Sequence, residues 1–412
     1  MAGEFENHGW DIVSFGEKAD AVVIHTCAVT EESARKSRQI ARRAKRLCPN
    51  ACVSVVGCLS QTDPEKLKSI ADIVLGSADK KNIVPLVTEF IEKQEKEIVI
   101  SDIAKEKEFE KMTLVKGEKT RAQIKIEDGC NNFCSYCIIP YARGRVRSKP
   151  IDEAVSETAG LVKNGYSEIV FTGIHLDSYG KDFGTFGLLD LLERVDLIPG
   201  LQRIRLGSLE PIFINSNSVS RLQNIKHLCP HFHLSLQSGC DETLKRMNRH
   251  YSSEEFSNAV KSLRENFDNV SITTDMIVGF PGETDEEFEK SYSFAEKVSF
   301  SKIHVFPFSP RKGTRAFDMK NPVDAEQKRQ RVSRLINLND KLETDFLNKQ
   351  KGRVLSVLFE QKKDGNFIGY AENYVQVAVE TDENLENIIR KVKIERVSGG
   401  ICFGALEKNS KL

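Results

Sequence analysis

From Ala21 to Phe308 the chain repeats one pattern: a short run of branched apolar residues, a stop of glycine, cysteine or small polar residues, and a stretch long enough for a helix. Such alternation admits few architectures, because parallel strands joined by helices must form sheets covered by those helices. In the first hundred residues it predicts strands at Ala21–His25, Cys52–Val56 and Ile73–Leu75. A helix is expected over Thr30–Leu47, with Thr30 as N-cap and Glu31 and Glu32 in the first turn, and another after Asp63-Pro64. Further on, strands are expected at Ala122–Ile126, Ser167–Thr172, Arg203–Leu206, His231–Leu236, Ser271–Val278 and His304–Phe306, with helices at Pro150–Asn164, Leu188–Val195, Glu254–Asn266 and Phe288–Val298. Six β/α units suffice for a partial barrel but not for a closed one of eight strands.

The stretch between the first two barrel strands carries the chemistry. Residues 127–148 read EDGCNNFCSYCIIPYARGRVRS and space Cys130, Cys134 and Cys137 as C-x3-C-x2-C. Three thiolates on one tight turn can hold three irons of a cubane cluster and leave the fourth with an open coordination position. A structural zinc site would need a fourth ligand, usually from two separated pairs, and none lies nearby. Cys27 and Cys58 form a second group, both at the carboxyl ends of expected parallel strands, where open α/β sheets collect ligands. Position alone leaves open that these two are packing thiols. Cys229 and Cys240 lack metal-ligand spacing and read as packing residues.

Ten cysteines without a signal-peptide pattern indicate a reducing, cytoplasmic setting in which thiols serve metals. No segment approaches the roughly 20 apolar residues needed to cross a bilayer, so no membrane association is expected. Lys plus Arg equal Asp plus Glu at 60 each, so any nucleic-acid surface must be local.

The three-cysteine motif is similar to the signature of radical S-adenosylmethionine enzymes, and HTCAVT and VGCLSQ around Cys27 and Cys58 resemble two cluster-binding segments of the radical methylthiotransferases. The resemblance implies a [4Fe-4S] cluster on Cys130, Cys134 and Cys137. Its open iron would chelate S-adenosylmethionine, whose reductive cleavage yields a 5′-deoxyadenosyl radical. It also implies a second cluster on Cys27 and Cys58. The family's third ligand belongs to a Gly-Cys-Lys-type turn after an earlier strand, and Met1–Asp20 resembles the helix that follows that strand. The strand and its cysteine are therefore expected to be missing here. Cys48, at a helix end, and Cys52, at a strand start, are poor substitutes. The turns TGIH, SLEP, LQSG and IVGFPGE resemble the family's cofactor contacts and imply roles for Thr172, Gly173, Glu210, Gln237 and Gly279.

The resemblance gives an expected order of modules: a truncated N-terminal parallel α/β domain (1–102), a charged connection (103–121), a partial (β/α)6 radical SAM barrel (122–350) that ends in a helix at 324–348, and a TRAM-like five-strand β-barrel (351–412). RNA contacts are expected from Arg35, Arg38, Arg42 and Arg43 on the basic helix. The terminal barrel offers Lys362, Lys363, Lys391, Lys393 and Arg396 to phosphates, and Phe367, Tyr370 and Tyr374 for stacking; a solvated charged face and a barrel that merely packs are the competing readings. IIPYARGRVRS, TGIHLDSYG and SLEP are most similar to the branch that acts on threonylcarbamoyladenosine in tRNA, with a flavodoxin or ferredoxin as electron donor. The alternatives are isopentenyladenosine in tRNA, an aspartate of a ribosomal protein, or a truncated form that binds RNA and cleaves the cofactor without completing methylthiolation.

Overall fold

The computed structural model describes residues 1–110 and 120–407, so residues 111–119 of the charged connection lie outside the described residues. It divides into two compact units: Met1–Gly117 with Asp128–Arg147 and Ser309–Met319, and Glu118–Glu127 with Ser148–Phe308 and Lys320–Leu412.

The first unit holds a parallel sheet of β1 (Ala21–Thr26), β2 (Cys52–Gly57), β3 (Ile73–Leu75) and β4 (Glu97–Val99), in that order, with β1 at an edge. β2 is central and buried along its whole length, which its unbroken small and apolar sequence permits. Helix α1 (Glu31–Leu47) begins as its sequence demands: Thr30 Oγ1 accepts from the Ser33 amide at 3.1 Å, and Ser33 Oγ accepts from the Thr30 amide at 3.1 Å. Ala34, Ser37, Ala41 and Ala44 form its buried face; these small side chains let it lie close on the sheet.

One expectation fails here. After Asp63-Pro64 there is only the single 3-10 turn Pro64–Lys66, because the helix forms earlier: α2 (Cys58–Thr62) starts at Cys58 itself, directly off β2. A further helix, α3 (Ile83–Lys93), and strand β4 escaped the sequence reading; β4 is three residues long and mostly exposed, with little apolar signal.

The second unit holds six parallel strand positions: β5 (Arg121–Lys125), β6 (Glu168–Thr172), β7 (Arg203–Leu206) continued past Gly207 by β8 (Ser208–Leu209), β9 (His231–Leu234), β10 (Ser271–Val278) and β11 (Lys302–Pro307). β5–β6–β7 form one sheet and β8–β9–β10–β11 the other, so the strands stand in sequence order around an incomplete barrel. Within each strand alternate residues, such as Ile169, Phe171, Phe232, Leu234, Ile272, Met276 and Ile303, join the core under the helices. The intervening residues face the lumen.

The terminal strands β12 (Val354–Lys363), β13 (Asn366–Ala371), β14 (Gln376–Glu380), β15 (Ile389–Ser398) and β16 (Ile401–Leu406) close into a barrel in the order β12-β13-β14-β16-β15. It is joined to the amino ends of the parallel strands by buried charge. Glu168 accepts from Arg205 Nε at 2.7 Å and lies 3.5 Å from Arg203 Nη1. Arg203 donates to the carbonyls of Tyr370 and Ser356, and Arg205 to that of Glu372. This joint corrects the stacking expectation for Phe367, which is buried in the barrel core; Tyr374 stacks on His231 and Tyr370 with ring centroids 4.8 and 4.9 Å apart and stays exposed. The guanidinium groups of Arg121 and Arg205 and the ring of His231 supply Tyr374 with flat partners within the protein itself.

Candidate active site

The three-cysteine loop belongs to the first unit. Gly129 opens it at φ +85°, and a Cβ there would lie 2.0 Å from the Arg145 carbonyl oxygen, so only glycine lets the two ends of the loop meet. The loop is closed by the Cys130 amide donating to the Gly144 carbonyl at 3.1 Å, and it turns where the Cys137 amide donates to the Cys134 carbonyl at 2.9 Å. Phe133, at φ +48°, turns its ring edge-on to Tyr141 and under the guanidinium of Arg145, 4.5 Å away. Cys134 is buried, while Cys130 and Cys137 are part-exposed. Three soft sulfur donors on one closed turn fit an iron–sulfur cluster with one open iron.

Helix α4 (Ile139–Arg143) continues the loop, and its Ala142, with Ile138 at its N-cap, joins the apolar core made by Ala28, Ala34, Cys58 and Leu59. This packing brings Arg143 to Cys58: Nε donates to Sγ at 3.0 Å, and Nη1 lies 3.4 Å from Asp128 Oδ2. Burial opposes the charge of Arg143, but Cys58 and Asp128 together hold its proton more firmly than usual. Cys58 has a partner in Cys27. The register pairs Thr26 with Gly57, so the two thiols leave neighbouring strands at the same end. Cys48 and Cys52 sit at the opposite end of β2, about 17–20 Å away along the strand. Cys52 is buried in the apolar core with Val56, Ile73 and Leu75, and that burial pushes its thiol up to about 11. Two thiols form only part of a cluster's donor set.

In the second unit the expected cofactor residues stand at the carboxyl ends of successive strands. Thr172 ends β6, and a Cβ on Gly173 would come 2.7 Å from Glu127 Oε2. Glu127 Oε2 accepts from the His175 amide at 2.8 Å. Glu210 is held by Arg249 through two hydrogen bonds of 2.5 and 2.6 Å, and its amide donates to Asp177. Burial raises the Asp177 carboxyl, but the bonds from His175 and the Glu210 amide outweigh it and lower its pKa. Gln237, at φ +66°, bridges to β10, accepting from the Ile277 amide, and Gly279 at φ +74° donates to Glu283. Missed in the sequence were Arg143, Glu127, His175, Asp177 and Arg249, together with three lumen residues: His233, Asp275 and His304. The available signal for the last three was polar residues two apart within strands, in HFH, TTD and KIH.

Residues 124–295 match the Radical SAM superfamily and residues 1–76 match an uncharacterized protein family, UPF0004. The chain is 38% identical to a threonylcarbamoyladenosine tRNA methylthiotransferase, MtaB, of Bacillus subtilis, over 95% of this chain and 88% of that protein. The chain belongs to the threonylcarbamoyladenosine tRNA methylthiotransferase family. The MtaB of Aquifex aeolicus is 36% identical over 95% of both proteins, whereas a tRNA-2-methylthio-N(6)-dimethylallyladenosine synthase from a Thermoanaerobacter species is 33% identical over 98% of this chain and 88% of that protein. These threonylcarbamoyladenosine methylthiotransferases therefore stand above the dimethylallyl branch. Among solved structures, a radical S-adenosylmethionine methyltransferase, TsrM, from Kitasatospora setae aligns with TM-score 0.56 at 15% identity, covering 72% of this chain and 64% of that one, a likeness of fold.

Of the expected RNA-binding residues, Arg35 pairs with Glu32 and Arg38 with Glu31 at 2.6 and 2.7 Å. Arg42 and Arg43 line a groove of about 770 Å³ with Lys36, Lys45 and Arg46. Lys391 and Lys393 point outward from β15, alternating with buried Val392 and Ile394.

Proposed function

We propose that this enzyme methylthiolates C2 of N6-threonylcarbamoyladenosine beside the anticodon of tRNA. The observation that carries the reading is the Arg143–Cys58 hydrogen bond, which ties the segment after Cys130, Cys134 and Cys137 to the second cysteine group within one compact unit. Cys130, Cys134 and Cys137 are the ligands of the [4Fe-4S] cluster used with S-adenosylmethionine by this superfamily. When bound, that pair supplies a radical able to break a C–H bond beyond the reach of acid–base chemistry.

The chain's own residues bind and orient. Thr172, Gly173, Glu210, Gln237 and Gly279 form the strand-end rim for S-adenosylmethionine. Cys27 and Cys58 contribute to a second cluster, and Arg143 positions the Cys58 sulfur by donating its Nε–H to it. Arg42 and Arg43, with Lys391 and Lys393, take tRNA phosphates; Arg35 and Arg38 add charge while tethered to glutamates. The adenine leaves its stack to reach the barrel mouth, as enzymes acting on a base require. Residues 1–102, 122–350 and 351–412 serve as the three modules, in a cytoplasmic enzyme reduced by a flavodoxin or ferredoxin. No described helix is long and apolar enough to cross a membrane.

The test is anaerobic reconstitution with tRNA carrying threonylcarbamoyladenosine, S-adenosylmethionine and dithionite, followed by mass analysis of digested nucleosides. The 2-methylthio nucleoside is expected from the unaltered protein. Cys130→Ala is expected to form no 5′-deoxyadenosine, and a variant that still forms it would sink the cluster assignment.

A further inference from the structure

The lumen of a β/α barrel is ordinarily filled by layers of branched apolar side chains. Here the inward positions of β9, β10 and β11 carry His231 and His233, Ser271, Thr273 and Asp275, and Lys302 and His304. Asp275 and His304 are direct partners across β10 and β11, while His233 is paired with Thr273, so the three groups share one face. Their ligand atoms lie within 4.8 Å of one another.

His233 is fixed at both ring nitrogens: Nδ1 lies 3.0 Å from Thr273 Oγ1 and Nε2 3.4 Å from Asp275 Oδ2. His304 is exposed and makes no hydrogen bond among the described residues, and the Asp275 side chain is 32% exposed. Polar groups placed in a lumen at a cost in packing, with capacity to spare, suit a ligand that offers both donors and acceptors.

Resting on the function proposed above, we propose that His233, Asp275 and His304 form the subsite that receives the N6 substituent of the substrate base and so set its identity. A threonylcarbamoyl group brings a ureido N–H and carbonyl, a hydroxyl and a carboxylate. The imidazole N–H of His304 donates to the carboxylate or carbonyl, and Asp275 accepts from the hydroxyl or ureido N–H. His233, locked by Thr273, orients Asp275. The three lie on the strands that lead to Gln237, Gly279 and Pro307, four, four and three residues before those ends. C2 and N6 share one edge of adenine, so a base held at the strand ends with C2 at the mouth sends its N6 arm down the lumen. An isopentenyl arm offers no polar atom and would leave all three groups unpaired, the situation in which a hydrogen-bonding site rejects an analogue most strongly. A divalent cation is the competing occupant of two imidazoles and a carboxylate. The present spread of donor atoms is wide for ligands that would each lie about 2.0–2.2 Å from zinc.

The test uses reconstituted holoenzyme and three anticodon hairpins differing only at the target adenosine: threonylcarbamoylated, isopentenylated and unmodified. Binding is measured for the unaltered protein and for His304→Phe and Asp275→Asn, with iron content and circular dichroism as folding controls. The unaltered protein is expected to favour the threonylcarbamoylated hairpin at least tenfold over the other two. His304→Phe and Asp275→Asn are expected to bring that ratio to within about threefold of one. A folded variant that keeps the wild-type ratio overturns the subsite. So does a Co(II) titration in which one equivalent gives d–d bands that His304→Phe abolishes, which would assign the three side chains to a metal. If the unaltered protein methylthiolates no tRNA at all, it is the function reading that fails. Activity on threonylcarbamoylated tRNA with an unchanged ratio in the variants rejects the subsite alone.

Discussion

At the scale of single residues, Arg143 and Gly129 decide whether the cysteine loop can be what its spacing suggests. Arg143 is part-buried between a thiol and a carboxylate, and removing its charge leaves Asp128 with Arg147 as its cationic partner, 3.9 Å away. Arg143→Leu is expected to lower unfolding free energy by about 1.5–3 kcal/mol, the range for a hydrogen bond to a charged group, and to reduce iron retained per chain. Urea midpoints and iron assays check both, and Arg143→Lys, which keeps the charge, should recover part of the loss. Gly129→Ala is more severe, because the added Cβ meets backbone rather than a side chain that can swing away. The loop then cannot close on Gly144, and the variant is expected to lose the iron–sulfur absorbance of the reconstituted protein while keeping its far-ultraviolet circular dichroism.

At the scale of elements, the joint between the parallel strands and the terminal barrel has a definite pH response. His231 is buried, and burial, aided by Arg205, His233 and His304, holds its pKa well below the usual 6.5. Above about 6.5 it is neutral in both folded and unfolded chains; below that, the unfolded chain takes up a proton that the folded one refuses, so stability falls. Glu168 behaves differently. Burial raises its carboxyl, but Arg205, Arg203 and Arg121 outweigh that and lower it, so its contribution is complete above about 4.5 and is lost as pH drops through the depressed value. Urea midpoints are therefore expected to decline from pH 6.5 downward and again below about 4.5. His231→Phe should flatten the first decline only. The order of strands and most helix limits were legible in the sequence, because Ile169, Val170 and Phe171 form an apolar run and Phe232, Leu234 and Ile272 alternate with polar residues at the strand period. The helix starting at Cys58 was not, because CLSQT carries neither an apolar stripe nor a capping residue.

At the scale of the whole molecule, net charge is zero and tRNA affinity must come from local cations. Binding is expected to weaken steeply with salt, and Arg42→Gln with Arg43→Gln should reduce the log–log slope by about 2, roughly one for each phosphate no longer neutralised. A slope unchanged in the double variant would move the RNA-binding face elsewhere, with Lys391 and Lys393 next to be tested.

The sequence by itself determined the cysteine spacing, the run of parallel strands and the family, since these depend on local order and short-range periodicity. Only the tertiary structure decided which groups meet. It stacked one face of Tyr374 on His231, brought Arg143 to Cys58 across 85 residues, and set His233, Asp275 and His304 on one face of the lumen. Strand register and helix packing fix such encounters, and neither is written in any single stretch of the chain.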